Sequence, residues 1–135
     1  MKIGIIAGAF DTIHPGYMYM LCKAKDYCDY LVVCLQTDPT IERPNKLKPI
    51  LTWDERYSIL SGIRYIDEIT QYTTEADLTN YLKNNHCHVR ILGDDYVGKV
   101  VTGQEYSDQV VYIDRSHGWS TTKYKKLIAA SLNGE

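Results

Sequence analysis

The stretch Gly8-Ala9-Phe10-Asp11-Thr12-Ile13-His14-Pro15-Gly16-Tyr17 lies between an apolar run, Ile3 to Ala7, and the segment Met18-Tyr19-Met20-Leu21. The run predicts a buried first strand and the later segment a helix, so the ten residues make a strand-to-helix turn. Glycines in such a turn let backbone approach a ligand closely, and the helix start offers unpaired N–H groups to a phosphate. Pro15 suits the first helical turn, where a missing N–H costs no hydrogen bond. His14 places a polar donor at the entrance.

Outward from this turn, strand-like and helix-like segments alternate. Strands are predicted at Ile3–Ala7, Tyr30–Leu35, Ile66–Thr70, His88–Leu92 and Val110–Ile113. Helices are predicted at Gly16–Asp29, Trp53–Ile63, Glu75–Asn85 and Thr121–Leu132. Thr52-Trp53-Asp54-Glu55 is a capping-box pattern, and Thr74 is suited to cap the third helix. This order implies an α/β fold, a single domain over residues 1–135 with a five-stranded parallel sheet flanked by helices and joined by right-handed crossovers. Ligands of such sheets sit beyond the carboxyl ends of the strands, at the topological switch point. The long segment Gln36–Leu51, with Pro39, Pro44 and Pro49, reads as a functional loop or lid.

A chain of 135 residues with 44% hydrophobic and 24% charged residues can bury one ordinary core. A net charge of −2 argues against broad nucleic-acid or membrane-surface binding. Cys22, Cys28, Cys34 and Cys87 have no zinc spacing and read as reduced thiols of a cytoplasmic protein. No apolar run is long enough to insert in a membrane, and the apolar start runs into Asp11 without a cleavage signature.

Four segments carry candidate chemistry, each at a predicted carboxyl end of a strand or the helix start after it. In the opening turn, His14 can stabilise phosphate charge, Phe10 packs, and Asp11 holds the loop or helps place a metal. In Arg43-Pro44-Asn45-Lys46-Leu47-Lys48-Pro49 the lysines can neutralise phosphates, and Arg56 on the next helix can fork two oxygens. In Gly93-Asp94-Asp95-Tyr96-Val97-Gly98-Lys99 paired carboxylates can orient a base or ribose, bind magnesium, or simply form an Asp-rich turn. In Arg115-Ser116-His117-Gly118-Trp119-Ser120-Thr121-Thr122 hydroxyls and free amides make a second anion site, with Ser120 as cap. His86-Cys87-His88 lacks a second cluster to complete a metal site, and Lys123, Lys125 and Lys126 read as the polar face of the last helix.

The opening turn resembles the G-x-F-D-x-x-H-x-G-H signature of the cytidylyltransferase family, with Tyr17 in place of the second histidine. Gly93–Lys99 is similar to the G-D-D-W-x-G-K of members that use glycerol 3-phosphate, with Tyr96 for the tryptophan. Arg115–Thr122 is similar to R-T-x-G-I-S-T-T, and Arg64-Tyr65-Ile66-Asp67-Glu68-Ile69 to R-Y-V-D-E-V. The resemblance covers nearly the whole chain. It implies a Rossmann-like homodimer in which a phosphate ester attacks the α-phosphate of CTP and releases pyrophosphate, with Mg2+ on the triphosphate and no metal ligand from the protein. It assigns chemistry to His14, Tyr17, Lys46, Lys48 and Arg115. It assigns nucleotide binding to Gly8, Ala9, Phe10, Asp11, Gly16, Arg56, Gly93, Asp94, Ser120, Thr121 and Thr122, and acceptor binding to Arg64 and Tyr96. The acceptor implied is a small phosphate-bearing alcohol, glycerol 3-phosphate by preference. Tyr17 leaves two outcomes open: catalysis through its hydroxyl, or a nucleotide-binding homologue with a regulatory or scaffold role. Adenylyl transfer from ATP is the further alternative.

Overall fold

The computed structural model describes residues 1–133. The strands are β1 (Ile3–Gly8), β2 (Tyr30–Gln36), β3 (Glu68–Tyr72), β4 (Cys87–Gly93) and β5 (Ser107–Ile113). The helices are α1 (Pro15–Ala24), α2 (Trp53–Ser61), α3 (Glu75–Asn84) and α4 (Thr121–Asn133). All strands pair in parallel, in the order β3-β2-β1-β4-β5. Parallel pairing forbids tight hairpins, so each connection crosses a face of the sheet. The chain steps outward from β1 to β2 and β3, then returns through α3 to β4 on the other side. The switch point therefore falls between β1 and β4, whose last residues are Gly8 and Gly93.

Two apolar layers sandwich the sheet. On one face Ile6, Val33 and Ile91 pack with Leu21 and Ala24 of α1 and Leu60 of α2. On the other, Ile5, Val32 and Cys34 pack with Leu78 and Leu82 of α3. The successive residues Ile5 and Ile6 thus serve opposite layers, which is why β1 reads as an unbroken apolar run. Capping boxes start α2 at Thr52 with Glu55 and α3 at Thr74 with Asp77.

The boundaries of α1, β3 and β5 depart in instructive ways from those predicted. α1 stops at Ala24 rather than Asp29, because residues 25–27 close into turns and the Asp29 carboxylate accepts the Lys2 amide at 2.8 Å. β3 covers Glu68–Tyr72 rather than Ile66–Thr70, because Asp67 accepts the Leu31 amide at 2.8 Å and anchors the segment just ahead of the strand. β5 begins at Ser107, ahead of the apolar positions that signalled it.

Candidate active site

The turn after β1 is held by Asp11. Its neighbours Phe10 and Thr12 both adopt left-handed backbone, with φ of 49° and 52°. Only a surrounding structure that fixes them tolerates this in non-glycine residues. Asp11 is 4% exposed. Its carboxylate accepts the amides of Ile50 at 2.8 Å and Leu51 at 3.1 Å and pairs with Lys125 at 2.9 Å. Burial opposes the charge, but Lys125 and the two amides outweigh it and keep the carboxyl below its usual range. Asp11 thus ties the opening turn to the end of the long loop and to the last helix. Both of its oxygens are thus engaged by the protein itself, which favours the loop-holding role.

His14 caps α1, its Nδ1 accepting the Gly16 amide at 3.1 Å. That bond puts the ring proton on Nε2, making His14 a donor. Burial, with Arg115 and His117 nearby, holds the ring below its usual pKa, so it is neutral near pH 7. The Tyr17 ring stacks on it with centroids 4.3 Å apart. The Tyr17 hydroxyl meets Thr121 Oγ1 at 2.9 Å, which joins α1 to the first residue of α4. Burial pushes the phenol above its usual pKa, with Thr121 acting in the opposite sense, so it stays a neutral hydroxyl. Gly16 is required by space: a Cβ there would lie 2.8 Å from Trp119 and 2.9 Å from both His14 and His117.

The start of α4 supplies the opposite wall. Ser120 Oγ accepts the Lys123 amide at 3.1 Å, the expected cap, leaving the earlier amides and the Thr121 and Thr122 hydroxyls at a cavity of ≈ 250 Å³ shared with His14, Tyr17 and Arg115. Arg115 is oriented by Asp95 at 3.1 Å and by the Trp119 carbonyl at 2.8 Å. A Cβ on Gly93 would sit 2.6 Å from Arg115 Cδ, so this arginine passes over β4 only because that position is glycine. Tyr17, Thr121 and Thr122 also border a larger cleft of ≈ 500 Å³ that runs across the ends of β1 and β4.

The remaining expected residues divide. Gly8, Ala9, Phe10, Lys46, Gly93 and Tyr96 line the large cleft. Lys48 does not: it is 77% exposed and lies 3.8 Å from Asp38, so of the two loop lysines Lys46 is the one at the cleft. Asp94 is exposed on a short 3₁₀ turn outside both cavities. Arg64 is also outside both, stacked 5.2 Å over the ring of Tyr65 at the surface.

Arg56 corrects the sequence reading most clearly. In place of a phosphate fork, it is 2% exposed and donates to the carbonyls of Leu51, Ala9, Gln36 and Thr37 at 3.2, 2.8, 2.6 and 2.6 Å. It clamps both ends of the long loop to the opening turn. Lys125, read as surface, instead lines the cleft and pairs with Asp11. Its place four residues after Thr121, on the same helix face, was the available signal. At the far end of the sheet, Asp108 joins His86 and His88, with His86 Nε2 2.7 Å from its carboxylate. His88 Nδ1 accepts the Ile3 amide at 3.1 Å, so its outward nitrogen bears the proton rather than a lone pair for a metal.

A parallel sheet whose switch point gathers a histidine, an arginine and two helix starts defines a nucleotide-transfer type of α/β domain. The chain belongs to the cytidylyltransferase-like family, whose model matches residues 5–127. It is 36% identical to glycerol-3-phosphate cytidylyltransferase of Bacillus subtilis over 129 residues, 96% of this chain and 98% of that one. It is 32% identical to the bifunctional protein HldE of Campylobacter concisus over 135 residues, 99% of this chain. The chain spans 28% of that relative's length. A lipopolysaccharide core biosynthesis protein of Thermoplasma volcanium, solved by crystallography, shares the fold with a TM-score of 0.62 over 82% of this chain and 94% of that one, at 23% identity. No helix among the described residues is long and apolar enough to cross a membrane.

Proposed function

We propose that this protein transfers the cytidylyl group of CTP to a small phosphate-bearing alcohol and releases pyrophosphate. The observation that carries the reading is the meeting of neutral His14, the Tyr17–Thr121 hydroxyl pair and Arg115 at the starts of α1 and α4. An acceptor phosphate oxygen attacks the α-phosphorus. The new P–O bond forms as the bond from that phosphorus to the bridging oxygen breaks, and the pyrophosphate leaves with the electron pair. Charge accumulates on the transferring oxygens, so the residues act by positioning and preorganised donation. His14 Nε2–H faces that charge. Arg115 and the α4 amides hold phosphate oxygens, and Lys46 closes on them from the loop. Mg2+ would be carried by the triphosphate, where it would neutralise phosphate charge.

Tyr17 supports activity rather than loss of function. Two hydroxyls joined by one hydrogen bond keep one O–H free, whichever of them donates, so the pair retains a donor for a phosphate oxygen. Glycerol 3-phosphate is the first acceptor to test, from the likeness to the Bacillus relative. A homodimer is proposed on the same likeness. The test is pyrophosphate release from CTP and glycerol 3-phosphate with magnesium, for the unmodified chain and for Tyr17→His. Release by the unmodified chain supports the reading. Silence from it with release by the variant would make the protein a binding homologue that Tyr17 has turned off, and release with ATP instead of CTP would change the nucleotide.

A further inference from the structure

Arg90 lies at the middle of β4, in register with Ile5 of β1 and on the α3 face of the sheet, opposite the face where Tyr17 packs. It borders the large cleft yet is 4% exposed. Its Nη1 donates to the Thr102 carbonyl at 2.7 Å, and its Nε is enclosed without any hydrogen-bond partner. Among the described residues it forms no ion pair with a carboxylate. The groups that face it do not balance its charge. Burial pushes the Cys34 thiol up to about 12 and the Cys87 thiol up to about 11, so both are neutral. Burial raises the Tyr72 phenol as well. Glu75, an acid near it, is engaged by Arg43 at 3.2 Å on the rim.

An enclosed guanidinium with an unused donor and no carboxylate paired to it is unfavourable unless a ligand supplies the anion. The phosphate end of the cleft has its own cations and helix starts, on the other face. A cytosine ring is neutral and would leave the charge uncompensated. We propose that Arg90 is the floor of an acceptor subsite that takes a second anionic group, a carboxylate or a phosphate, at the end of the acceptor remote from the reacting phosphate. This rests on the acceptor being a phosphate ester, as above, and makes glycerol 3-phosphate a minimal acceptor rather than the preferred one.

The test compares three-carbon acceptors differing only at the far end: glycerol 3-phosphate with a hydroxyl, 3-phosphoglycerate with a carboxylate, and glycerol 1,3-bisphosphate with a phosphate. The unmodified protein is expected to favour one of the two doubly anionic acceptors in kcat/KM by roughly 10- to 100-fold, the range of a charge-assisted hydrogen bond. Which one it favours identifies the group. Arg90→Met is expected to bring that ratio near one, and Arg90→Lys, which keeps the charge and loses the fork, to give an intermediate ratio. Calorimetric binding of the same compounds without CTP gives a readout independent of turnover. Arg90-dependent binding with no transfer would sink the cytidylyl reading and keep the subsite. Transfer with a ratio near one in the unmodified protein would overturn the subsite, as would Arg90→Met weakening CTP as much as the acceptors. If Arg90→Met does not fold, equal binding of all three by the unmodified protein overturns the proposal and preference for a dianionic compound upholds it.

Discussion

Tyr17 and Thr121 stand 104 positions apart in the chain and meet through their hydroxyls at 2.9 Å. The contact closes the site between the first and last helices and fixes the phenol over the face of His14. Tyr17→Phe keeps the ring stack and removes the hydroxyl. Its kcat for cytidylyl transfer is expected to fall about 10²-fold, the cost of losing one transition-state donor, with the CTP KM changed much less. A change below about 3-fold would show that the hydroxyl serves only to join the helices.

His14 is neutral in the folded protein because burial, Arg115 and His117 disfavour its charge. A base with a depressed folded pKa contributes stability above its unfolded value of about 6.5, lost as pH falls through the lower folded value. The imidazole resonances of His14 should therefore titrate below pH 6.5, and kcat/KM should fall on the acid side with the same midpoint. A midpoint above 6.5 in ¹H–¹⁵N spectra of the free protein would contradict the neutral-donor role.

Asp11 has the opposite chemistry and the same sign. Its folded pKa lies below the usual carboxylate value, so its contribution is present above about pH 4 and lost as pH falls through the folded value. Asp11→Asn is expected to destabilise by about 1–3 kcal/mol at neutral pH, with the difference from the unmodified protein shrinking below about pH 4. Urea unfolding at a series of pH values reads both.

Arg56→Lys retains the charge but cannot span four carbonyls with a single ammonium. A loss of about 1.5–3 kcal/mol is expected, together with faster proteolysis within residues 37–51. Unchanged cleavage there would mean that Asp11 alone secures the loop.

Gly16→Ala would push a methyl against His14, His117 and Trp119 at once. Overpacking of this kind costs about 1–3 kcal/mol, and the displaced rings should also weaken CTP binding at least 10-fold by calorimetry. Binding at the original strength would show that the three side chains can yield without disturbing the phosphate end.

The sheet was legible because its signals are local. The apolar run Ile3–Ala7, the capping box at Thr52 and the cap at Thr74 each lie within a few residues of the element they start. The glycines and hydroxyls of the site were legible for the same reason. Arg56 was misread because its partners are carbonyls up to 47 residues away, and nothing in residue type separates an arginine that binds phosphate from one that binds backbone. Lys125 was passed over because its partner, Asp11, sits at the other end of the chain. β3 was placed two residues early because Asp67 accepts the amide of Leu31 on the neighbouring strand, a long-range contact that composition does not encode.

The division of the site between the two ends of the sequence has a consequence for biosynthesis. His14 and Tyr17 leave the ribosome before β2 to β5, while Thr121, Thr122 and Lys125 leave after all five strands. A chain arrested near residue 118 would hold every strand of the sheet and half of a phosphate site. Competence is therefore gained when α4 docks, in one step, rather than gradually as the sheet grows.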